Sequence, residues 1–218
     1  MASVALLHTA EVHRETFEHL FTAMAPSIKL DQMVEKEWLA EARDKGISEE
    51  LNAKIQEKLN SASTNNDVVI CTCSTLGPVA DLVAKDNKKV FRIDRPMLEE
   101  AAKSQGKILV VVCLESTIAA TEQLMEEAFA AEGKPAFFEM LLCDEAWPHF
   151  ESGDIIAFAE SITEKVCDHV EQMLNPGPVV LAQASMLAAA PLLMEKELPV
   201  FTSPIVAART AISMIEKA

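Results

Sequence analysis

Tyrosine is absent from the 218 residues, aromatic residues of all kinds make up 5%, and there are only six glycines. Neither G-x-G-x-x-G nor G-x-x-x-x-G-K occurs. The chain therefore encodes no dinucleotide fingerprint and no phosphate-binding loop. With so few rings, the interior must be built from Ala, Val, Leu and Ile, which dominate a chain that is 50% hydrophobic. Buried parallel strands covered by helices have that composition. Positive charge is also scarce: 19 Lys and Arg stand against 34 Asp and Glu, a formal net charge of −15. Such a field repels phosphate backbones and anionic lipid, which argues against nucleic acid and membrane surfaces as partners. It leaves room for a small anionic substrate, because local N–H groups outweigh a distant, screened field. No apolar run approaches the ~18 residues of a membrane span. The opening M-A-S-V-A-L-L-H has no basic n-region and no long apolar stretch, which predicts no secretory signal. Five cysteines are present, Cys71, Cys73, Cys113, Cys143 and Cys167. Their number is odd, and Cys71 and Cys113 sit inside apolar runs, so they do not read as a disulfide framework. These features predict a soluble, cytoplasmic protein.

Short apolar runs alternate with helical patterns along the whole chain. Strands are expected over Ser3–Leu7, Ser27–Val34, Asp67–Thr72 and Lys89–Ile93. Helices are expected over Glu11–Met24, Glu35–Ser61 with a break at Gly46-Ile47-Ser48, Leu76–Lys85 and Pro96–Gln105. Ser48 suits an N-cap, and Pro96 a first helical position. The order then restarts, with strands over Lys107–Leu114, Ala136–Leu142, Pro178–Ala182 and Pro199–Thr202. Their helices fall over Thr117–Ala131, Asp154–Leu174, Met186–Lys196 and Pro204–Lys217. Continuous apolar strands in repeated β-α units predict parallel sheets with helices on both faces.

There is an internal echo. D-V-V-I-C-T-C-S-T-L from Asp67 matches P-V-V-L-A-Q-A-S-M-L from Pro178, an offset of 111 residues that sets Cys73 against Ala184 and Ser74 against Ser185. Val4–Leu7 with Thr9 echoes Val110–Leu114 with Thr117, and Val90-Phe91 echoes Val200-Phe201. Three segments recurring in one order predict a duplicated lobe of about 100 residues, too long for a solenoid repeat. The fold class expected is α/β, as two pseudo-symmetric flavodoxin-like lobes with parallel sheets and the active site between them. Residues 1–95 with 205–218 form the N-terminal lobe, and residues 96–204 the C-terminal lobe.

The segment richest in chemistry is Cys71-Thr72-Cys73-Ser74-Thr75-Leu76-Gly77-Pro78, where a buried strand meets a helix. Ligands of parallel sheets sit at the carboxyl ends of strands, where a helix start offers free N–H groups. A thiol there tends towards a lowered pKa. Cys71 belongs to the strand and reads as a small buried hydrophobe, whereas Cys73 lies beyond it. No second paired set of Cys or His stands at zinc-ligand spacing.

On these residues the chain resembles the aspartate/glutamate racemase superfamily, which includes hydantoin racemases, maleate isomerase and arylmalonate decarboxylase. Cys73-Ser74-Thr75 is similar to that superfamily's first cysteine motif, commonly Cys-Asn-Thr. Val110–Thr121 is similar to the opening strand and Thr-rich turn of its second lobe, Pro178–Leu187 to its second cysteine strand, and Thr202-Ser203-Pro204 to the motif after its last strand. The resemblance implies a cofactor-independent isomerase acting on carbon next to a carboxylate. Backbone N–H groups and hydroxyls hold the carboxylate and its developing charge, and two thiols exchange a proton on opposite faces. It implies no metal, pyridoxal or nucleotide, a small amino, hydroxy or dicarboxylic acid as substrate, and homodimerisation as a common state.

The second cysteine is missing, since its position falls on Ala184. One thiol still serves a one-sided reaction, so a decarboxylase or lyase is the alternative, and a catalytically silent carboxylate-binding protein a further one. By resemblance His8, at the end of the first strand, takes the place of an aspartate beside the first thiol, where an imidazole would draw its proton. Cys73 and His8 are thus the catalytic candidates. Thr9, Ser74, Thr75, Ser116, Thr117, Gln183 and Ser185 are the substrate-binding candidates, with Thr121 weaker. Ser116 and Thr117 also suit ordinary N-caps. Arg92 and Arg95 suit either a clamp on a second carboxylate or an inter-lobe ion pair with Asp94. His13 reads as part of a solvated helix face, and His149 and His169 as surface residues.

Overall fold

The computed structural model describes residues 1–217. These residues form two compact units: Met1–Arg95 with the chain from Pro204 onward, and Pro96–Ser203. Each contains one four-stranded parallel sheet.

In the first unit the strands are β1 (Ser3–His8), β2 (Lys29–Val34), β3 (Val68–Cys71) and β4 (Val90–Arg92). They lie in the order β2-β1-β3-β4. The helices are α1 (Val12–Met24), α2 (Lys36–Lys45), α3 (Glu49–Asn65), α4 (Gly77–Asp86) and α5 (Arg95–Ala101, at the unit boundary). All six residues of β1 and all four of β3 are buried, as a central pair covered on both faces requires. Edge strand β2 instead alternates between exposed and half-buried residues at its start. Ser48 caps α3, its Oγ accepting the Leu51 N–H at 3.1 Å. That helix then buries Leu51, Ile55 and Leu59 against Leu7, Val69, Leu76 and the α4 residues Val79 and Val83. Full burial of one such side chain is worth about 1.5–3 kcal/mol.

The second unit repeats the plan. Its strands are β5 (Lys107–Val112), β6 (Phe138–Leu142), β7 (Pro176–Leu181) and β8 (Val200–Thr202), in the order β6-β5-β7-β8. Its helices are α6 (Glu115–Ala131), α7 (Trp147–Ser152), α8 (Ile155–Val170) and α9 (Ala189–Glu195), and α10 (Ser203–Glu216) follows β8. Asp154 caps α8, its Oδ1 accepting the Ala157 N–H at 3.0 Å. The segment Asp144–Ser152, for which no element is expected from the sequence, forms a 3-10 turn and α7. Gly153 ends α7 in the left-handed region at φ 82°, where a side chain would be strained.

The identical strand orders show the duplication, but the ladder corrects its register. Thr72 N–H donates to Leu7 O, and Ala182 N–H to Val111 O. Cys71 pairs with Arg92, and Leu181 with Thr202. Thr72 therefore corresponds to Ala182, and Cys73 to Gln183 rather than Ala184. The next turn agrees, with Leu76 N–H donating to Cys73 O and Met186 N–H to Gln183 O. The physical reason lies at the start of β7, where the β5–β7 register shifts between Lys107 and Leu109. There Gly106, at φ 81°, and Gly177 come so close that a Cβ on Gly106 would lie 2.8 Å from the Gly177 Cα. Matching Val-Val-Ile to Val-Val-Leu by letters slips the two lobes by one residue against their hydrogen bonds.

Candidate active site at the Cys73 turn

β3 ends at Cys71, and the chain turns through Thr72–Leu76 before α4 begins at Gly77. Cys73 is buried within that turn. Its thiol is pushed up by burial, and the Thr9 side chain, the Leu76 and Thr75 N–H groups and the Thr75 side chain act in the opposite sense without overcoming it. The structure thus brings together three of the expected residues, Thr9, Cys73 and Thr75. The net direction is up, so the lowered pKa expected of a thiol at a helix start is not found: burial outweighs the local donors. Ser74 is buried beside them, its carbonyl accepting the Gly77 N–H at 3.1 Å. Cys71 behaves as expected of a buried strand residue, its thiol pushed up to about 12 chiefly by burial.

His8 is not brought to this sulfur. Its Nδ1 lies 2.8 Å from Thr72 Oγ1 and its Nε2 3.0 Å from Gln32 Oε1. The Thr72 hydroxyl donates on to Leu7 O at 2.9 Å. Both ring nitrogens are occupied, so the expected thiolate–imidazolium pair is not formed. The ring is fully buried and packs 5.5 Å from Phe17 and 6.1 Å from His13, measured between centroids. Burial holds His8 down to about 4, with Gln32 acting in the opposite sense. The ring is therefore neutral near pH 7 and carries a single N–H, which it donates to one of these two oxygens. His13 departs from the solvated position expected of it: it is buried and likewise held down to about 4. Gln32 also lines a cavity of about 350 Å³ with Arg14, Glu18, Phe21 and Leu30. Sequence reading passes over Thr72 and Gln32. The inward turn of every second residue in β2 is the signal that marks Gln32.

Arg92 is neither a free carboxylate clamp nor one half of an inter-lobe pair. Within the first unit its Nε donates to Asp94 Oδ1 at 2.6 Å, its Nη2 to Asp94 Oδ2 at 2.9 Å, and its Nη1 to Asp81 Oδ2 at 3.0 Å. Arg95 Nε donates to the other Asp81 oxygen at 2.9 Å. Arg92 and Asp94 are both buried. Burial disfavours the guanidinium charge, but the carboxylates of Asp94 and Asp81 outweigh it and hold Arg92 firmly charged.

In the second unit, Gln183 Oε1 accepts the Cys113 N–H and so ties the end of β7 to the end of β5. Ser185 is half-buried in the following 3-10 turn. Of the hydroxyls after β5, Ser116 is exposed, while Thr117 and Thr121 are fully buried one turn apart on α6. The Thr117, Thr121 and Ser203 hydroxyls have no hydrogen-bond partner. Thr117 is thus no helix cap: the N-cap position of α6 is Leu114, which makes no side-chain cap bond. Buried hydroxyls are nearly always bonded, so each orphan calls for an explanation. Burial pushes the Cys143 thiol up to about 12, and burial together with Cys143 raises that of Cys113. His149 is exposed as expected, and His169 is half-buried with its Nε2 2.8 Å from Glu139 Oε1. Among the described residues, no group of three or more His, Cys, Asp or Glu is placed to hold a metal ion, and no helix is long and apolar enough to cross a membrane.

No family model and no curated protein matches the chain. Solved structures do. A glutamate racemase isoform from Bacillus anthracis is similar over 99% of this chain and 82% of its own, with a TM-score of 0.72 at 12% identity. The aspartate racemase of Picrophilus torridus matches over 99% and 95%, with a TM-score of 0.68 at 13% identity. An allantoin racemase from Pseudomonas fluorescens matches over 100% and 92%, with a TM-score of 0.66 at 15% identity. The class of fold is therefore the α/β architecture of these racemases, with two four-stranded parallel sheets flanked by helices.

Proposed function

We propose that the protein is a cofactor-independent enzyme of the aspartate/glutamate racemase type. It would do acid/base chemistry at carbon next to a carboxylate, with Cys73 as the proton-transferring thiol. The observation that carries this reading is the place of Cys73 in the turn between β3 and α4, where the Thr9 and Thr75 side chains and the Thr75 and Leu76 N–H groups oppose the push of burial on its thiol. A residue buried only for packing has no need of them, and they stabilise the thiolate left when Cys73 gives up a proton. The substrate is a small amino, hydroxy or dicarboxylic acid. Its carboxylate falls to the hydroxyls of Thr9, Ser74 and Thr75, with the unpartnered Thr117 as the second unit's candidate. His8, with both nitrogens engaged, supports Thr72 and leaves the proton transfer to Cys73.

One observation favours a second reading within this type. The opposite number of Cys73 is Gln183, and burial keeps Cys73 itself on the protonated side. A single protonated thiol suits delivery of a proton to a carbanion formed by loss of CO₂ or of a leaving group, the decarboxylase or lyase alternative. Incubation in D₂O with a panel of amino acids, hydroxy acids, malonates and dicarboxylates, followed by NMR, separates the readings. Exchange or inversion abolished by Cys73→Ala supports an isomerase, and product formation abolished by it a lyase. Silence across the panel with ligand binding still measurable supports the carboxylate-binding alternative.

A further inference from the structure

Gly77 is the first residue of α4 and has no room for a side chain. A Cβ there would lie 2.5 Å from both the guanidinium carbon and Nε of Arg92, and 2.7 Å from Nη2. Such a clash would be cheap if the arginine were free to swing away, but its fork is pinned on Asp94 and on Asp81. Arg92 is the register partner of Cys71, and Ile93 N–H donates to Cys71 O at 2.9 Å, so β4 carries the guanidinium directly alongside the end of β3. From there Nη2 also reaches Ser74 O at 3.5 Å. The guanidinium plane thus forms the floor on which the turn Cys73–Gly77 rests, held from below by two carboxylates.

We infer that Arg92 is a positioning residue for the Cys73 thiol, seated under Gly77 so that the turn Cys73–Gly77 keeps its place around the sulfur. The effect runs through geometry rather than field, because Asp94 and Asp81 neutralise the guanidinium. The groups facing the sulfur are the Thr9 hydroxyl from the end of β1 and the Thr75 and Leu76 groups of its own turn, with Cys71 on β3 as the titratable neighbour. Moving the floor shifts this turn, and with it the Thr75 and Leu76 groups that oppose burial.

This inference gives Cys73 the role proposed above but is tested without a substrate, so it stands or falls separately from the reaction. The measurement is the pH dependence of Cys73 alkylation by iodoacetamide, read by peptide mass spectrometry, in wild type, Arg92→Lys, Gly77→Ala and Asp81→Asn. Thermal unfolding is followed in parallel. Arg92→Lys keeps the charge and loses the fork. It should move the Cys73 midpoint up by about one pH unit, which is about tenfold slower labelling at neutral pH. Gly77→Ala should do the same, and Asp81→Asn, at the more exposed edge of the network, should give a smaller shift of the same sign. A merely structural role predicts lower unfolding temperatures with the midpoint of the folded protein unmoved. That result in Arg92→Lys or Gly77→Ala overturns the inference. If both fail to fold, an unmoved midpoint in Asp81→Asn overturns it.

Discussion

Thr9 follows β1 and Cys73 follows β3, and across the ends of these neighbouring strands the Thr9 side chain opposes the upward push of burial on the Cys73 thiol. Thr9→Val keeps the shape and deletes the donor. A hydrogen bond to a charged group is worth about 1.5–3 kcal/mol. Its loss should therefore raise the Cys73 midpoint by about one pH unit. Ultraviolet thiolate titration of a variant retaining only this cysteine checks the shift. An unchanged midpoint would mean that the two backbone N–H groups suffice.

His8 and His13 make stability fall on mild acidification. Both are held down to about 4, chiefly by burial. The unfolded chain takes up their protons near the ordinary value of about 6.5, while the folded chain does not. The unfolded state then binds more protons, so unfolding free energy drops as pH falls from about 6.5 towards 4 and is flat above that window for these groups. The loss approaches about 3 kcal/mol per ring at the lower end, as an order of magnitude. Urea unfolding between pH 7.5 and 5, above the range of ordinary carboxylates, should show the slope in wild type. His8→Gln, which can still bond Thr72 and Gln32, should flatten it, and an unaltered slope in this variant would remove His8 as a cause.

The five cysteines should separate sharply on labelling. Cys71, Cys113 and Cys143 are sealed from solvent, at 1% exposure or less. They should resist iodoacetamide until the protein unfolds. Cys167 is half-exposed on α8 and should label regardless of ligand. Cys73, just reached by solvent at 7% exposure, should label in the native state and be protected by a bound dicarboxylate. Equal protection of Cys167 would point to a global effect instead of occupancy of the site.

Much of this was readable from local pattern. The apolar strands, the restart at Lys107 and the position of Cys73 beyond a buried strand depend on runs of residues that are close in sequence. The parallel α/β fold with its repeated strand order follows from them. What pattern could not carry were contacts made at long range. The bond from His8 to Gln32 spans 24 residues and that to Thr72 spans 64, and either one decides where the imidazole goes. The burial of His13 depends on the same cluster. The match of Cys73 to Gln183 hinges on a one-residue register shift at Gly106 and Gly177, invisible when Val, Ile and Leu are interchangeable. Arg92 and Asp94 were recognised as charges that need partners, but only the fold shows that they satisfy each other on one side of one sheet.

Thr117 separates function from stability most cleanly. Its hydroxyl is fully buried and unpartnered, so in the unliganded protein it is a cost. Thr117→Val removes the polar atom and keeps the β-branched shape. The variant should be as stable as wild type or more stable, by up to about 1 kcal/mol. If the hydroxyl serves as a carboxylate donor, the same change should weaken binding of a small dicarboxylate about tenfold, the value of one hydrogen bond to a charged group at the low end of its range. Calorimetric titration and urea unfolding of the one variant give both numbers. A variant that loses stability and binds normally would make Thr117 a packing residue. One that gains stability and loses binding would mark the orphan hydroxyl as held in place for a ligand, since nothing in the folded chain alone rewards it.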